Sequence, residues 1–69
     1  MKTLINAIID DNYRIIPRLI DNKYFGVYIH RNTNNETIIN VPVDHPIKAK
    51  LIARSHLQTA ILNGKVVLA

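Results

Sequence analysis

The first apolar residues of the chain follow a helical spacing. They lie at positions i, i+1, i+4 and i+5, on one side of an α-helix: Leu4, Ile5, Ile8 and Ile9. Asp10 and Asp11 follow them, and acidic side chains are unfavourable at a helix C-terminus. The pattern predicts a short N-terminal helix that ends near these aspartates, with a β-strand as the alternative.

The middle of the chain changes to a pattern typical of β-strands. β-Branched and aromatic residues dominate three runs that polar turn residues separate: residues 13–20, 24–31 and 37–43. Pro17 and Pro42 lack the amide hydrogen that a central strand needs, so each indicates an edge position or a bulge. These runs predict a three-stranded antiparallel sheet.

Helical spacing returns in residues 45–63. Asp44 is a suitable N-cap, and Pro46 is tolerated in the first turn of a helix. Asn63 and Gly64 form a typical C-terminal stop. The segment predicts the longest helix of the chain.

Together these elements predict one small α+β domain over residues 1–69. Its antiparallel sheet has three strands, or four if residues 65–69 also pair with it. A short N-terminal helix and a longer C-terminal helix pack against the sheet.

The turn between the first two strands decides which side chains share a face. A three-residue turn, residues 21–23, would place Ile20 opposite Tyr24. It would also place Arg18 opposite Gly26, and directly opposed residues share a face. One face then carries cations and rings beside Ile16 and Ile20: Arg14, Arg18, Tyr24, Tyr28 and His30. The other face is an aliphatic core: Ile15, Leu19, Phe25, Val27 and Ile29.

A five-residue loop, residues 32–36, extends this pattern to the third strand. Ile39 then lies opposite Ile29 on the core face. Val41 and Val43 join the same face. A one-residue change in either loop would exchange the faces of one strand relative to its neighbour.

The overall charge makes polyanions plausible partners. The chain carries a net charge of +4 with a pI near 9.8, although its cations form no dense run. It has no cysteine, which excludes disulfides and cysteine-ligated zinc and fits a reducing compartment. No segment approaches the roughly 20 apolar residues of a membrane span. A cytoplasmic protein with no membrane partner is therefore expected.

The face of cations and rings has two interpretations. Bases stack on aromatic rings while arginine holds phosphates, so an open face would suit nucleic acid. Ile16, Ile20 and Ile38 share this face, however, and favour its burial beneath a helix or a second subunit. Both interpretations depend on the register assumed for the first hairpin.

The order of three strands and a helix, with Gly26-Val27-Tyr28 on the second strand, resembles the DNA-binding domains of the phage-integrase arm-binding type. Those domains contact DNA through cations and a tryptophan on the sheet. This chain has no tryptophan, and its third strand carries Thr37, Ile38 and Asn40 instead. The resemblance implies a DNA-binding sheet, but no residue role is transferred.

The long helix has an apolar stripe and a polar side. The stripe comprises Ala49, Ala53, Leu57, Ala60 and Ile61. Lys48 lies on the opposite side, where phosphate contact is plausible. Lys50, Arg54 and Gln58 form an i, i+4 ridge beside the stripe. We select Lys48 and Arg54 as further candidates for contact with a partner.

The residue pattern does not indicate an enzyme, a cofactor, a metal site or a small-molecule substrate. The acidic residues fall mostly at predicted turns and caps, and the three histidines lack metal-ligand spacing. The first hypothesis is a small regulator or inhibitor that occludes a macromolecular partner, like the accessory proteins of phages and mobile elements. The alternatives are a DNA-binding protein and a structural homo-oligomer subunit.

Overall fold

A computed structural model describes residues 4–64 and has the predicted α+β architecture. Its elements follow one another in chain order: α1 (Leu4–Asn12), β1 (Tyr13–Ile20), β2 (Lys23–His30), β3 (Glu36–Ile38) and α2 (Pro46–Leu62). The three strands form an antiparallel sheet in the order β1-β2-β3. The fourth strand suggested for residues 65–69 lies outside the described residues.

The hairpin between β1 and β2 differs from the prediction by one residue. Its turn contains only Asp21 and Asn22, with φ angles of 51° and 65°. Two positive φ angles give the turn a twist that matches the flanking strands, and aspartate and asparagine tolerate that conformation. Ile20 therefore pairs with Lys23 instead of Tyr24, and every predicted pairing between β1 and β2 is wrong.

The third strand is also shorter than predicted, and its residues pair with different residues of β2. Val27 lies opposite Ile38 instead of Val41, and Ile29 lies opposite Glu36. Ile39 is buried as predicted, but its amide donates to the carbonyl of Gly26. The loop closes earlier than predicted because the His30 amide donates to the Asn35 carbonyl. Val41 is exposed, so its predicted place in the core is wrong.

The observed register defines an inner face, which packs against the helices, and an outer face. The inner face consists of the residues that pair as follows: Tyr13 with His30, Ile15 with Tyr28, Pro17 with Gly26, and Leu19 with Tyr24. The outer face pairs Arg14 with Ile29, Ile16 with Val27, Arg18 with Phe25, and Ile20 with Lys23. Among the described residues, both helices lie on the inner side.

The stripe predicted for α2 is confirmed by its burial. Ala49, Ala53, Leu57 and Ala60 are all buried. Ala49 and Ala53 lie directly over Gly26, where an added Cβ would contact both of them. Small side chains on each side therefore let the helix approach the sheet closely.

The ends of α2 agree only in part with the sequence. Pro46 occupies the first turn and Asn63 is the C-cap, as predicted. The N-cap is His45, whose Nδ1 accepts from the Ile47 amide at 3.1 Å, so the prediction of Asp44 is wrong. Asp44 instead accepts from Lys23 Nζ at 2.8 Å, and this contact lowers the pKa of its carboxyl group.

Helix α1 packs beside α2 through both apolar and polar side chains. Ile9 is fully buried in the main cluster. Gln58 Nε2 donates to Asn6 Oδ1 at 2.6 Å, and Arg54 pairs with Asp10 at 2.8 Å. The i, i+4 ridge of α2 thus meets an i, i+4 pair on α1. No helix within residues 4–64 is long and apolar enough to cross a membrane.

Candidate binding cleft

The predicted face of cations and rings is not formed. Arg14 and Arg18 lie on the outer face of the sheet, whereas Tyr24, Tyr28 and His30 lie on the inner face. The cause is the two-residue turn, which shifts β1 by one position and so exchanges its faces relative to β2. The surface on which the nucleic-acid hypothesis depended is therefore absent.

The aromatic rings contribute mainly to the core. Tyr28 is only 7% exposed, and its ring packs edge-on against Tyr13 with centroids 5.7 Å apart. His30 makes a similar contact with Tyr13 at 5.0 Å. Burial raises the pKa of the Tyr13 phenol, and the nearby Tyr28 adds to the rise. This arrangement is an aromatic cluster beneath the helices, typical of a packed core.

The other predicted contact residues are scattered. Tyr24 is half-buried and pairs through its backbone with Val43. Arg18 reaches across the outer face to Glu36 of β3 at 2.6 Å. Because β2 lies between those strands, the ion pair crosses it on the side of Val27, which is fully buried. Lys48 is exposed on the solvent side of α2, as predicted.

A different surface brings cations together at the edge of the sheet. A cleft of about 460 Å³ lies between β1 and the N-terminal half of α2. We call it the edge cleft. Its lining residues are Asp10, Tyr13, Arg14, Ile15, Ile16, Arg31, Ile47, Lys50, Leu51 and Arg54. Two of the predicted contact residues, Arg14 and Arg54, therefore lie in one site.

The charges of the edge cleft are only partly balanced within the described chain. Asp10 is its single acidic residue, and its carboxylate pairs with Arg54. Arg31 Nε donates to the Asp10 carbonyl at 3.1 Å. Within residues 4–64, neither Arg14 nor Lys50 makes an ion pair. The cleft therefore presents an excess of positive charge to a ligand.

The position of Lys50 on the α2 ridge explains why it has no acidic partner among residues 4–64. Gln58 and Arg54 meet Asn6 and Asp10 of α1, one turn apart on each helix. Lys50 lies one turn closer to the N-terminus of α2 than Arg54 does, beyond the point where α1 ends and β1 begins. The i, i+4 ridge of α2 therefore extends beyond the end of α1, whose Asp10 pairs with Arg54.

Apolar side chains complete the cleft. Ile47 and Leu51 are each 61% exposed, although both belong to a helix that packs on the sheet. They are four residues apart and so lie on one side of α2. The cleft therefore combines two exposed aliphatic side chains with the unbalanced cations.

Sequence reasoning missed Arg31, Ile47, Lys50 and Leu51 as site residues. The spacing of Lys50 and Arg54 was visible, and so was the apolar character of Ile47 and Leu51. Their association with Arg14 and Arg31 depends on how α2 crosses β1, which the local pattern does not encode. The part of the chain that the structure describes holds no group of three or more potential metal ligands.

Comparison with known proteins gives no further information about the site. No protein-family model, curated protein sequence or solved structure matches this chain.

Proposed function

We propose that this protein is a small, non-enzymatic regulator or inhibitor that binds a macromolecular partner and occludes it. The partner is a protein, and the complex forms in the cytoplasm. The observation that supports this proposal is the edge cleft, in which two cations that make no ion pair within residues 4–64 lie beside two exposed aliphatic residues. An acidic, partly apolar protein surface has the complementary charge and shape.

The location of the rings favours protein over nucleic acid. Binding of single strands depends on aromatic rings that stack on bases. Tyr13 is buried beside Tyr28, and none of the other described residues that line the edge cleft has an aromatic ring. Aliphatic side chains suit the hydrophobic part of a protein interface instead.

Charge reversal of Lys50 tests the proposed site. We expect Lys50→Glu to weaken partner binding by about tenfold or more, since repulsion replaces attraction to an acidic partner. Lys48→Glu is the matched control, because Lys48 is also exposed on α2 but lies outside the edge cleft. The partner is captured from the native host by cross-linking, purified, and titrated against wild type and both variants by calorimetry.

The two variants carry the same change in net charge, so a general electrostatic effect would weaken both equally. Circular dichroism should report the same folded state for both, because neither lysine makes an ion pair within residues 4–64. Equal affinities for wild type and Lys50→Glu would contradict the assignment of the cleft.

Nucleic-acid binding is the second candidate, and the net charge of +4 favours it. If phosphate contacts alone drive binding, the logarithm of the association constant should fall linearly with the logarithm of the salt concentration. Titration of a double-stranded and a single-stranded DNA at several salt concentrations measures this slope. Undetectable binding at low salt would eliminate this candidate.

A further inference from the structure

The outer edge of β1 offers backbone hydrogen-bonding groups to a partner. Tyr24 and His30 direct their amides away from β1, to Val43 and Asn35. Alternate residues of a strand bond to opposite neighbours, so Phe25 and Val27 of β2 bond to β1. Their register partners are the even-numbered residues of β1. The backbone groups of the odd-numbered residues therefore point outward.

One of the outward-pointing residues, Ile15, lies in the edge cleft. Ile15 is odd-numbered and lines that cleft, and its N–H and C=O project from the sheet edge. Among residues 4–64, no strand pairs with this side of β1. The next outward position is Pro17, which has no N–H to donate. Within residues 4–64, the edge of β1 is therefore unpaired at Ile15 and interrupted two residues later by Pro17.

We propose that an extended, acidic segment of the partner protein adds to β1 as an edge strand, paired with the backbone of Ile15. This inference rests on the proposed function, because it specifies how the partner occupies the edge cleft. Strand addition supplies main-chain hydrogen bonds, and pockets beside the strand select alternate side chains. Pro17 prevents pairing beyond this point and so confines the partner to the Tyr13–Ile16 end of the strand.

The cations predict the composition of the added segment. Arg14 belongs to the outer face of the sheet, whereas Lys50 belongs to the helix on the inner side. Successive side chains of an added strand point to these two sides in turn. Two adjacent acidic residues would therefore meet Arg14 and Lys50 respectively. Aliphatic residues next to them would contact Ile16 on the outer side and Leu51 on the inner side.

Displayed peptide libraries provide the probe. Each peptide has about nine residues, a common strand length, with two adjacent acidic positions flanked by random residues. A matched library carries lysine or arginine at the same two positions. We expect selection on the full chain to enrich acidic peptides only, with aliphatic flanks, and Lys50→Glu to lose them. Enrichment of the basic library instead would overturn the proposal.

Amide hydrogen exchange measured by NMR tests the backbone contact. Saturation with a selected peptide should slow exchange of the Ile15 amide by about tenfold or more, since that amide becomes hydrogen-bonded. The Leu19 amide is the control, because it also points outward but lies beyond Pro17 and outside the cleft. Its exchange should not change.

Replacement of a single amide by an ester in the chemically synthesised chain removes one N–H and keeps the side chain. An ester at Ile15 should weaken peptide binding by about tenfold, the effect of one lost hydrogen bond. An ester at Leu19 should leave affinity unchanged. Neither N–H bonds to β2, so both proteins should fold, as circular dichroism would verify.

Several outcomes would overturn the inference. If peptides bind in a Lys50-dependent manner but Ile15 exchange and the ester have no effect, strand addition is wrong while the proposed cleft stands. If a single-stranded oligonucleotide binds through Lys50 and no acidic peptide does, both proposals are wrong. If Ile15 becomes protected simply on raising the protein concentration, the occupant is a second copy of the chain.

Discussion

At the scale of residues, Asp21 and Asn22 have the largest effect on the surface of this protein. Both adopt positive φ angles, which closes the hairpin in two residues. The sequence correctly indicated a turn here, but it assigned Lys23 to the turn as well. That single residue determines whether Arg18 lies on the face of Gly26 or on the face of Phe25. The aromatic–cationic face was lost through this difference alone.

Asn22→Val tests the contribution of the turn. A β-branched residue at a φ of 65° is strained, so we expect a loss of about 1–2 kcal/mol in the free energy of unfolding. Asn22→Gly should retain stability, because glycine adopts this conformation without strain. Asn32→Val in the exposed loop after β2 serves as the matched control. Urea denaturation gives all three values, and an unchanged midpoint for Asn22→Val would contradict the role assigned to the turn.

At the scale of elements, the close packing of α2 on the sheet positions the edge cleft. Ala49 and Ala53 contact the site of Gly26, so the helix axis lies near β2. Ile47, Lys50 and Leu51 consequently reach over β1. The alanine stripe was predictable because its spacing is local. Its contact with Gly26 was recognised only in the structure.

Gly26→Ala should disrupt this contact. The added Cβ would lie 2.7 Å from Ala53 Cβ and would also clash with the Ala49 carbonyl, which cannot move independently of the helix. We expect a loss of roughly 1–3 kcal/mol or more in the free energy of unfolding. Gly64→Ala is the comparison, since a Cβ there meets nothing within 4 Å and only the φ of 70° opposes it. Thermal denaturation gives the stability of both variants. A larger loss of stability for Gly64→Ala than for Gly26→Ala would refute this account of the packing.

At the scale of the whole molecule, the two faces of the sheet differ. The inner face is covered by α1 and α2, but no described element covers the outer face. Val27 is buried on this face, while Ile20 and Ile38 are exposed. Exposed aliphatic residues on an open sheet favour the alternative hypothesis of a homo-oligomer subunit, which stays a prediction. Ile20 and Ile38 lie outside the edge cleft, whereas Arg14 and Ile16 belong both to the outer face and to the cleft.

Sedimentation across a dilution series tests self-association. We expect the wild-type chain to form a dimer or larger species as its concentration rises, and Ile38→Lys to shift it toward monomer, because a charge cannot be buried without a partner. Leu62→Lys is the matched control, since Leu62 is also exposed but lies on α2. A wild-type protein that remains monomeric at every concentration would disprove the prediction.

The sequence by itself determined the order of the elements, the type of every element after the first, the apolar stripe of α2 and the C-terminal stop of that helix; it left a strand open as the alternative to α1. These features depend on residue spacing and on conformational preferences within a few residues, and both can be read from the sequence. The tertiary structure alone decided which residues share a surface. Side chains alternate along a strand, so one residue more or less in a turn exchanges the two faces. Arg14 and Lys50 line the same cleft because α2 crosses the first strand, and the two-residue turn places Arg14 on the outer face of that strand.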